Sequence, residues 1–384
     1  MLDLRIKRRD YLSGYYYFGI CLIFVIGGLV NFLGVGWLTP LLEPFFVVLA
    51  VLSFFKARID RYKIILAALI LLYVLYGFVF SVLIRQVNFL DFFQAYKCFW
   101  YLLLLVPISG VRLVSGEDLL KLNKLLISWF LLVYAIKRFV LGLDRPIVLT
   151  ENNFELLLVC LVFYAASLQR DKIAPLEMAA LGIVIFISGS RSAALCFAVI
   201  LFFLLMRNGV RRKDIIPIFG LFVAVLMGGL LFKLRAKVGA GVEDIDRVRF
   251  FYIFLEAIKN WNVVDYLFGE PRITALPQWA CKQLSAYDEL FSYKGDGSCY
   301  SVILHSFDMR VLYDHGIAGA LFIIISLFKL MGRIPVKARF CVLSVLVANG
   351  LSVSAINNVY FALGLALLCS VRTNLVGGRR TIIN

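Results

Sequence analysis

Residues 64–84 read IILAALILLYVLYGFVFSVLI, an uninterrupted apolar run with no charged side chain, closed on one side by Arg61 and Lys63 and on the other by Arg85. About 20 such residues form a helix that crosses the hydrocarbon of a bilayer, so this stretch reads as a transmembrane helix. The rest of the chain repeats the pattern. Hydrophobic residues make up 62% of the 384 and charged ones 17%, with a mean hydropathy of +0.90. A water-soluble core could not hide that much apolar surface. Comparable segments lie at 15–32, 41–55, 98–114, 125–143 and 156–168, then at 178–188, 192–206, 218–232, 311–328, 340–356 and 360–371. The expectation is an all-α, polytopic integral membrane protein with about 12 transmembrane helices in a single domain over 1–384.

Lys and Arg set the orientation, because cytoplasmic loops retain positive charge. Five clusters fall on one side of a twelve-span arrangement: Arg5, Lys7, Arg8 and Arg9; Lys56, Arg58, Arg61 and Lys63; Arg207, Arg211, Arg212 and Lys213; Lys329, Arg333, Lys337 and Arg339; and Arg372, Arg379 and Arg380. Both termini are then cytoplasmic. No small-residue cleavage site follows the first apolar segment, so it reads as a span and not as a cleaved signal peptide. These clusters account for most of the net charge of +16 and would be drawn to anionic membrane lipids. A second set of cations, Arg85, Lys137, Arg138, Arg145, Arg191, Lys233, Arg235, Lys237, Arg247, Arg249, Lys259, Arg272, Lys282 and Arg310, falls on the opposite side. They point to an anionic partner there, with solvated loop charge as the alternative for any single one.

The one long connection, 233–310, is expected as a loop on the outer side between spans nine and ten, and a loop of that length usually has structure and a function. Within it, residues 243–261 read as a helix with Val248, Phe251, Leu255 and Ile258 at helical spacing, suited to lie on a membrane surface. Cys281 and Cys299 are the only two of eight cysteines in this outer segment; a disulfide and two free thiols both remain open. The only histidines, His305 and His315, sit where the loop returns to the membrane. If a helix begins at His305, Asp308, Met309, Leu312, Gly316 and Gly319 share its face, and Asp308 can orient the imidazole for proton transfer. The bland alternative is a helix-terminal histidine satisfied by water. Arg191, in the turn Ser188-Gly189-Ser190-Arg191-Ser192, either snorkels to headgroups or directs its planar fork at a phosphate or diphosphate. Arg247 and Arg249 are two apart on a helix, so only one of them is expected to reach a common site.

No Gly-rich phosphate loop, spaced Cys/His metal cluster or Ser-centred elbow is present in the sequence. Nucleic-acid binding is disfavoured because the basic clusters are short membrane-flanking loops. Three stretches carry a family likeness: SGSRSAAL at 188–195, DRVRFFYIFLEAIKNW at 246–261 followed by LFGEP at 267–271, and HSFDMRVLYDHGIAG at 305–319. In that order around the largest outer loop, they resemble the membrane superfamily of O-antigen ligases, O-antigen and exopolysaccharide polymerases, and bacterial protein O-oligosaccharyltransferases.

The resemblance is clearest over 183–328. It implies a metal-independent, cofactor-free glycosyltransferase of the bacterial inner membrane, whose active site faces the periplasm and whose donor is an undecaprenyl-diphosphate-linked glycan. By resemblance, Arg191 and Arg249, with Arg247 as the other candidate, hold the diphosphate, and His305 serves as general base on, or positions, the acceptor hydroxyl. Ser306 stands where many ligases have Asn, which leaves the acceptor contact open. The compact LFGEP segment and the acidic residues after His305 are more like a polysaccharide polymerase than a ligase that uses lipid A core as acceptor. A polymerase makes a chain-length regulator a candidate partner. A lipid-linked sugar flippase or transporter is the reading from another class. Internal repeats are not evident, and Glu43 is among the few acidic residues well inside a span, which argues against it.

Overall fold

The computed structural model describes residues 11–32, 39–170, 172–206, 246–271, 273–371, 375–376 and 379–380. Helices dominate. In chain order they are α1 (Tyr11–Phe32), α2 (Leu42–Phe54), α3 (Arg61–Ile84), α4 (Phe89–Ala95), α5 (Lys97–Ile108), α6 (Gly116–Val140), α7 (Asn152–Leu168), α8 (Pro175–Ser188) and α9 (Arg191–Met206). The segment expected on the outer side, called the outer segment below, contributes α10 (Asp246–Ala257), α11 (Val263–Phe268) and α12 (Gln278–Gln283), and the chain continues with α13 (Phe307–Leu330), α14 (Val336–Gly350) and α15 (Val359–Ser370). The only strands among the described residues are Leu375–Val376 and Arg379–Arg380, which pair antiparallel.

A helix occupies every apolar segment read from the sequence except 218–232, which lies outside the described residues. Of the described helices, α1, α3, α6 and α13 are long and apolar enough to cross a membrane, and α4 with α5 makes a fifth if the pair, bent by 60°, counts as one span. Polar residues start several of them: Asp60 accepts a hydrogen bond from the Lys63 amide, Ser115 from Asp118 and Asn358 from Tyr360. Each side-chain acceptor satisfies a donor that a helix terminus leaves open.

α7 and α15 are buried on nearly all sides, whereas α3 exposes Ile64, Ile65, Leu69, Leu71, Leu72 and Leu75. Exposed apolar faces on helices that also pack an apolar core are what a lipid solvent favours, and they suggest a membrane protein.

Hydrogen bonds define two ends of the bundle. At one, the Lys63 ammonium donates to the Ser109 carbonyl, the Ser109 hydroxyl to Leu330 (2.7 Å), the Gly110 amide to Cys369 (3.1 Å) and the Ser13 hydroxyl to Asp118 (3.3 Å). Arg58, Arg61, Lys63, Arg333, Lys337 and Arg339 belong to this end; the clusters at 5–9 and 207–213 lie outside the described residues. At the other end, the Asn31 amide donates to Leu149 (3.1 Å), Thr150 and Tyr360 join through their hydroxyls (3.3 Å), Asn152 donates to Ser188 (3.0 Å) and the Phe307 amide to Val353 (3.1 Å). Buried Glu155 fixes the α6–α7 connection here, because its carboxylate accepts from the amides of Val148, Leu149 and Thr150.

The outer segment builds a small core of its own. Phe250, Ile253 and Phe254 of α10 pack with Leu276, Ala280, Leu284, Ile303 and Leu304, and with Met309 and Tyr313 of α13. Cys281 and Cys299 form a disulfide inside it, their Cα atoms 5.6 Å apart. α10 presents one apolar face to this core and another outward. Phe250, Ile253 and Phe254 face inward, while Phe251 and Leu255, of the set expected to lie on a membrane surface, are exposed.

Candidate active site at one end of the bundle

The turn carrying Arg191 is built by the residues around it. Ser188 ends α8, Gly189 takes the left-handed conformation (φ +64°), and the Ser190 hydroxyl accepts from the Ala193 amide at 3.2 Å, which caps α9. Asn153, at the start of α7, then pins the turn: its Oδ1 accepts from Ser190 (2.6 Å) and Ser192 (3.1 Å), the hydroxyls on either side of Arg191. Arg191 itself is exposed at the first residue of α9. A cation at a helix N-terminus opposes the helix dipole, and both attract the same thing, an anion.

His305 lies at the same end. The chain turns out of a 3-10 helix (Ser301–Leu304), passes through His305 at φ +56° and ψ −19°, and enters α13 at Ser306. A non-glycine residue in this region costs of order 1–3 kcal/mol, held only where its surroundings fix it. Here they do. The Ser306 hydroxyl accepts from the Met309 amide (3.3 Å) and donates to the Gly350 carbonyl (2.8 Å), so Ser306 caps α13 and ties it to the end of α14. The imidazole is left exposed beside the rings of Phe250 (5.4 Å between centroids) and Tyr287 (6.2 Å). Just before it, burial pushes the Tyr300 phenol up from its ordinary value, so that group stays protonated.

His305 precedes α13 and is not part of it, so the helical spacing that would set Asp308 against the imidazole does not apply. The Asp308 carboxylate instead lies against Gly350, where any Cβ would collide with it. The spacing argument for Asp308 as the orienter of His305 therefore does not hold. Arg247 and Arg249 are both exposed on α10, three and one residues from Phe250 respectively, so the ring contact of Phe250 brings this arginine-bearing turn beside His305. The Arg249 guanidinium donates to the Gln283 carbonyl. Of the other outer cations, Lys233, Arg235, Lys237 and Arg272 lie outside the described residues, and Arg310 is buried in α13.

A second constellation was not read from the sequence as part of a site. α13 is broken at Gly316 (φ +65°, ψ −171°), a conformation open in practice to glycine alone. Gly269 of the LFGEP segment, at φ +75° and ψ −178°, fits into the break, and the Glu270 amide donates to the Tyr313 carbonyl (2.7 Å). The outer segment thus supplies a donor to a carbonyl at the interruption of the helix, a requirement wherever a broken helix is buried away from water. Around the break, buried His315 shares a hydrogen bond between its Nδ1 and the Tyr73 hydroxyl (2.7 Å), with the rings of Tyr96 and Phe99 at 5.2 and 4.8 Å. Buried Asp314 accepts from Ser301, and buried Arg310 lies one turn earlier. Glycines in an apolar helix and in LFGEP were the only local signals.

Two further anchors hold the outer segment. Arg85 donates to the Pro271 carbonyl (2.6 Å) and the Thr274 hydroxyl (3.0 Å), and Asp91 and Gln94 of α4 bond to Ser292 and Tyr293. The 60° bend between α4 and α5 opens a groove of about 510 Å³ against α3, lined by Leu71, Leu75, Phe78, Phe89, Phe92 and Trp100 among others, with almost no polar surface. Among the described residues, no three His, Cys, Asp or Glu side chains gather as a metal site.

No family model and no curated protein matches this chain.

Proposed function

We propose that the chain is a twelve-span membrane glycosyltransferase that polymerises undecaprenyl-diphosphate-linked oligosaccharide repeat units on the periplasmic face of the bacterial inner membrane. The observation that carries this reading is the exposed imidazole of His305, fixed in a strained conformation against Phe250 and Tyr287, at the bundle end that also bears Arg191. Order and spacing of the SGSRS, DRVRF, LFGEP and HSF stretches support it, as does a hydrocarbon-lined groove beside α3 suited to a lipid chain.

In this mechanism His305 takes the proton from a hydroxyl of the acceptor glycan. The oxygen forms a bond to the anomeric carbon of the donor as the bond from that carbon to the diphosphate oxygen breaks. Undecaprenyl diphosphate leaves with the electron pair. Arg191, with Arg249 or Arg247, stabilises the charge that develops on it. Ser306 and Asp308 act by shaping the His305 turn and its support at Gly350. The reaction draws on no metal or organic cofactor. A ligase would run the same chemistry with lipid A core as acceptor.

One observation favours a reading of a different class. An interrupted helix with buried Arg310, Asp314 and His315 around the break is a feature of transporters and flippases. Purified protein in liposomes carrying lipid-linked repeat units separates the two. A ladder of longer lipid-linked products, lost in His305→Ala, supports polymerisation. Movement of the lipid between leaflets with its length unchanged supports transport and overturns the proposal.

A further inference from the structure

We propose that α11 is immersed in the outer leaflet of the bilayer, with Val263, Val264, Leu267 and Phe268 facing lipid hydrocarbon. These four of its six residues are 74%, 61%, 42% and 53% exposed, an apolar density at odds with a loop surrounded by water. Two rulers set its depth. α3 is long and apolar enough to cross the membrane and ends one residue before Arg85, so Arg85, and with it Pro271 and Thr274, belongs to the outer rim. Gly316, which receives Gly269 at the end of α11, lies nine residues beyond Phe307 in a second helix long enough to cross. At 1.5 Å per residue that is about 13 Å along α13. α11 is thus held between the rim and the upper part of the hydrocarbon, the depth of about 5–10 Å at which interfacial helices settle.

The composition around α11 fits that depth. Asn262 and Asp265 form a reciprocal capping box, so donors at the start of the helix are satisfied internally. Trp261 and Tyr266 pack edge to face (5.4 Å) and the indole donates to Glu270 (2.7 Å), which is the aromatic pairing of an apolar body with a polar tip found at membrane interfaces. Leu83 and Ile84, just before Arg85, are likewise exposed and apolar. The occupant is therefore outer-leaflet lipid. The lipid contact would steady the loop that carries Arg249 and leads to His305, and it stands independently of the proposed chemistry.

Nitroxide labels at Val264→Cys and Phe268→Cys, each in full-length protein with half-buried Cys21 replaced by Ser, test this in phosphatidylethanolamine/phosphatidylglycerol nanodiscs. Both sites are exposed, so a label needs no repacking. Leu72→Cys on α3 serves as the lipid reference and Lys294→Cys at the loop tip as the aqueous one. Collision with oxygen exceeding collision with a water-soluble nickel chelate at both sites, as at Leu72, is the expected result. Nickel-dominated relaxation at either site overturns the proposal. So does exclusion of both reagents, which would mean that protein, such as a second copy of the chain, covers the patch.

Discussion

Gly316→Ala tests the coupling between the outer segment and the broken helix. The backbone there sits at φ +65° and ψ −171°, which costs an alanine of order 1–3 kcal/mol. The added Cβ would also stand 2.5 Å from the Gly269 nitrogen and from the Leu267 carbonyl carbon. Restoring contact at about 3.4 Å requires a shift of roughly 0.9 Å in backbone that cannot rotate away. Such a shift weakens the bond from Glu270 to Tyr313, worth about 1 kcal/mol. The sum is about 2–4 kcal/mol against docking of α11. Where local opening governs exchange, that raises amide hydrogen exchange over 263–271 by about 30- to 700-fold at 1.4 kcal/mol per tenfold. Gly142→Ala is the control: φ is +68° but nothing lies within 4 Å of the new Cβ, so only conformational strain applies and exchange over 263–271 stays at its wild-type rate. Wild-type exchange there in Gly316→Ala would refute the reasoning.

Asn153→Ala removes the acceptor for the Ser190 and Ser192 hydroxyls; a loss of about 1–3 kcal/mol should speed exchange at 189–193 and reduce chain transfer, with helix content by circular dichroism unchanged. Cys299→Ser opens a cross-link between residues 18 apart, which costs about 3 kcal/mol, and limited proteolysis should cut the outer segment at least tenfold faster while leaving α1 to α9 intact. A chelator should leave the rate of lipid-linked chain growth unchanged, and loss of activity restored by added divalent metal would contradict the mechanism.

Much of the scaffold was legible because lipid imposes a simple code. An uncharged apolar run such as 64–84 has few alternatives to a helix, whereas helix starts were less legible: α6 begins at Gly116, capped by Ser115, well before the apolar segment read from 125. The ends of the bundle were legible through charge, since Lys63 and Arg333 belong to one and Arg191 to the other. The candidate site was readable only as residue types in order, not as geometry. The left-handed turn at His305 has no signature in its neighbours, so the sequence reads as a helix continuous from His305, and the spacing to Asp308 drawn from it does not apply. α10 has apolar residues on two faces, and only the outer-segment core decides that Phe250 and not Phe251 turns inward. The meeting of Gly269 with Gly316 joins positions 47 residues apart in sequence and follows from tertiary packing alone.

The central claim is that Arg191 and His305 share the outer face while the basic loops share the inner one. Single cysteines at Arg191, His305 and Lys337, probed with a membrane-impermeant maleimide on intact spheroplasts, test it most directly. Labelling at 191 and 305 before lysis, and at 337 only after it, is the predicted result. Protection of either outer position until lysis, or labelling of 337 from outside, would contradict the account.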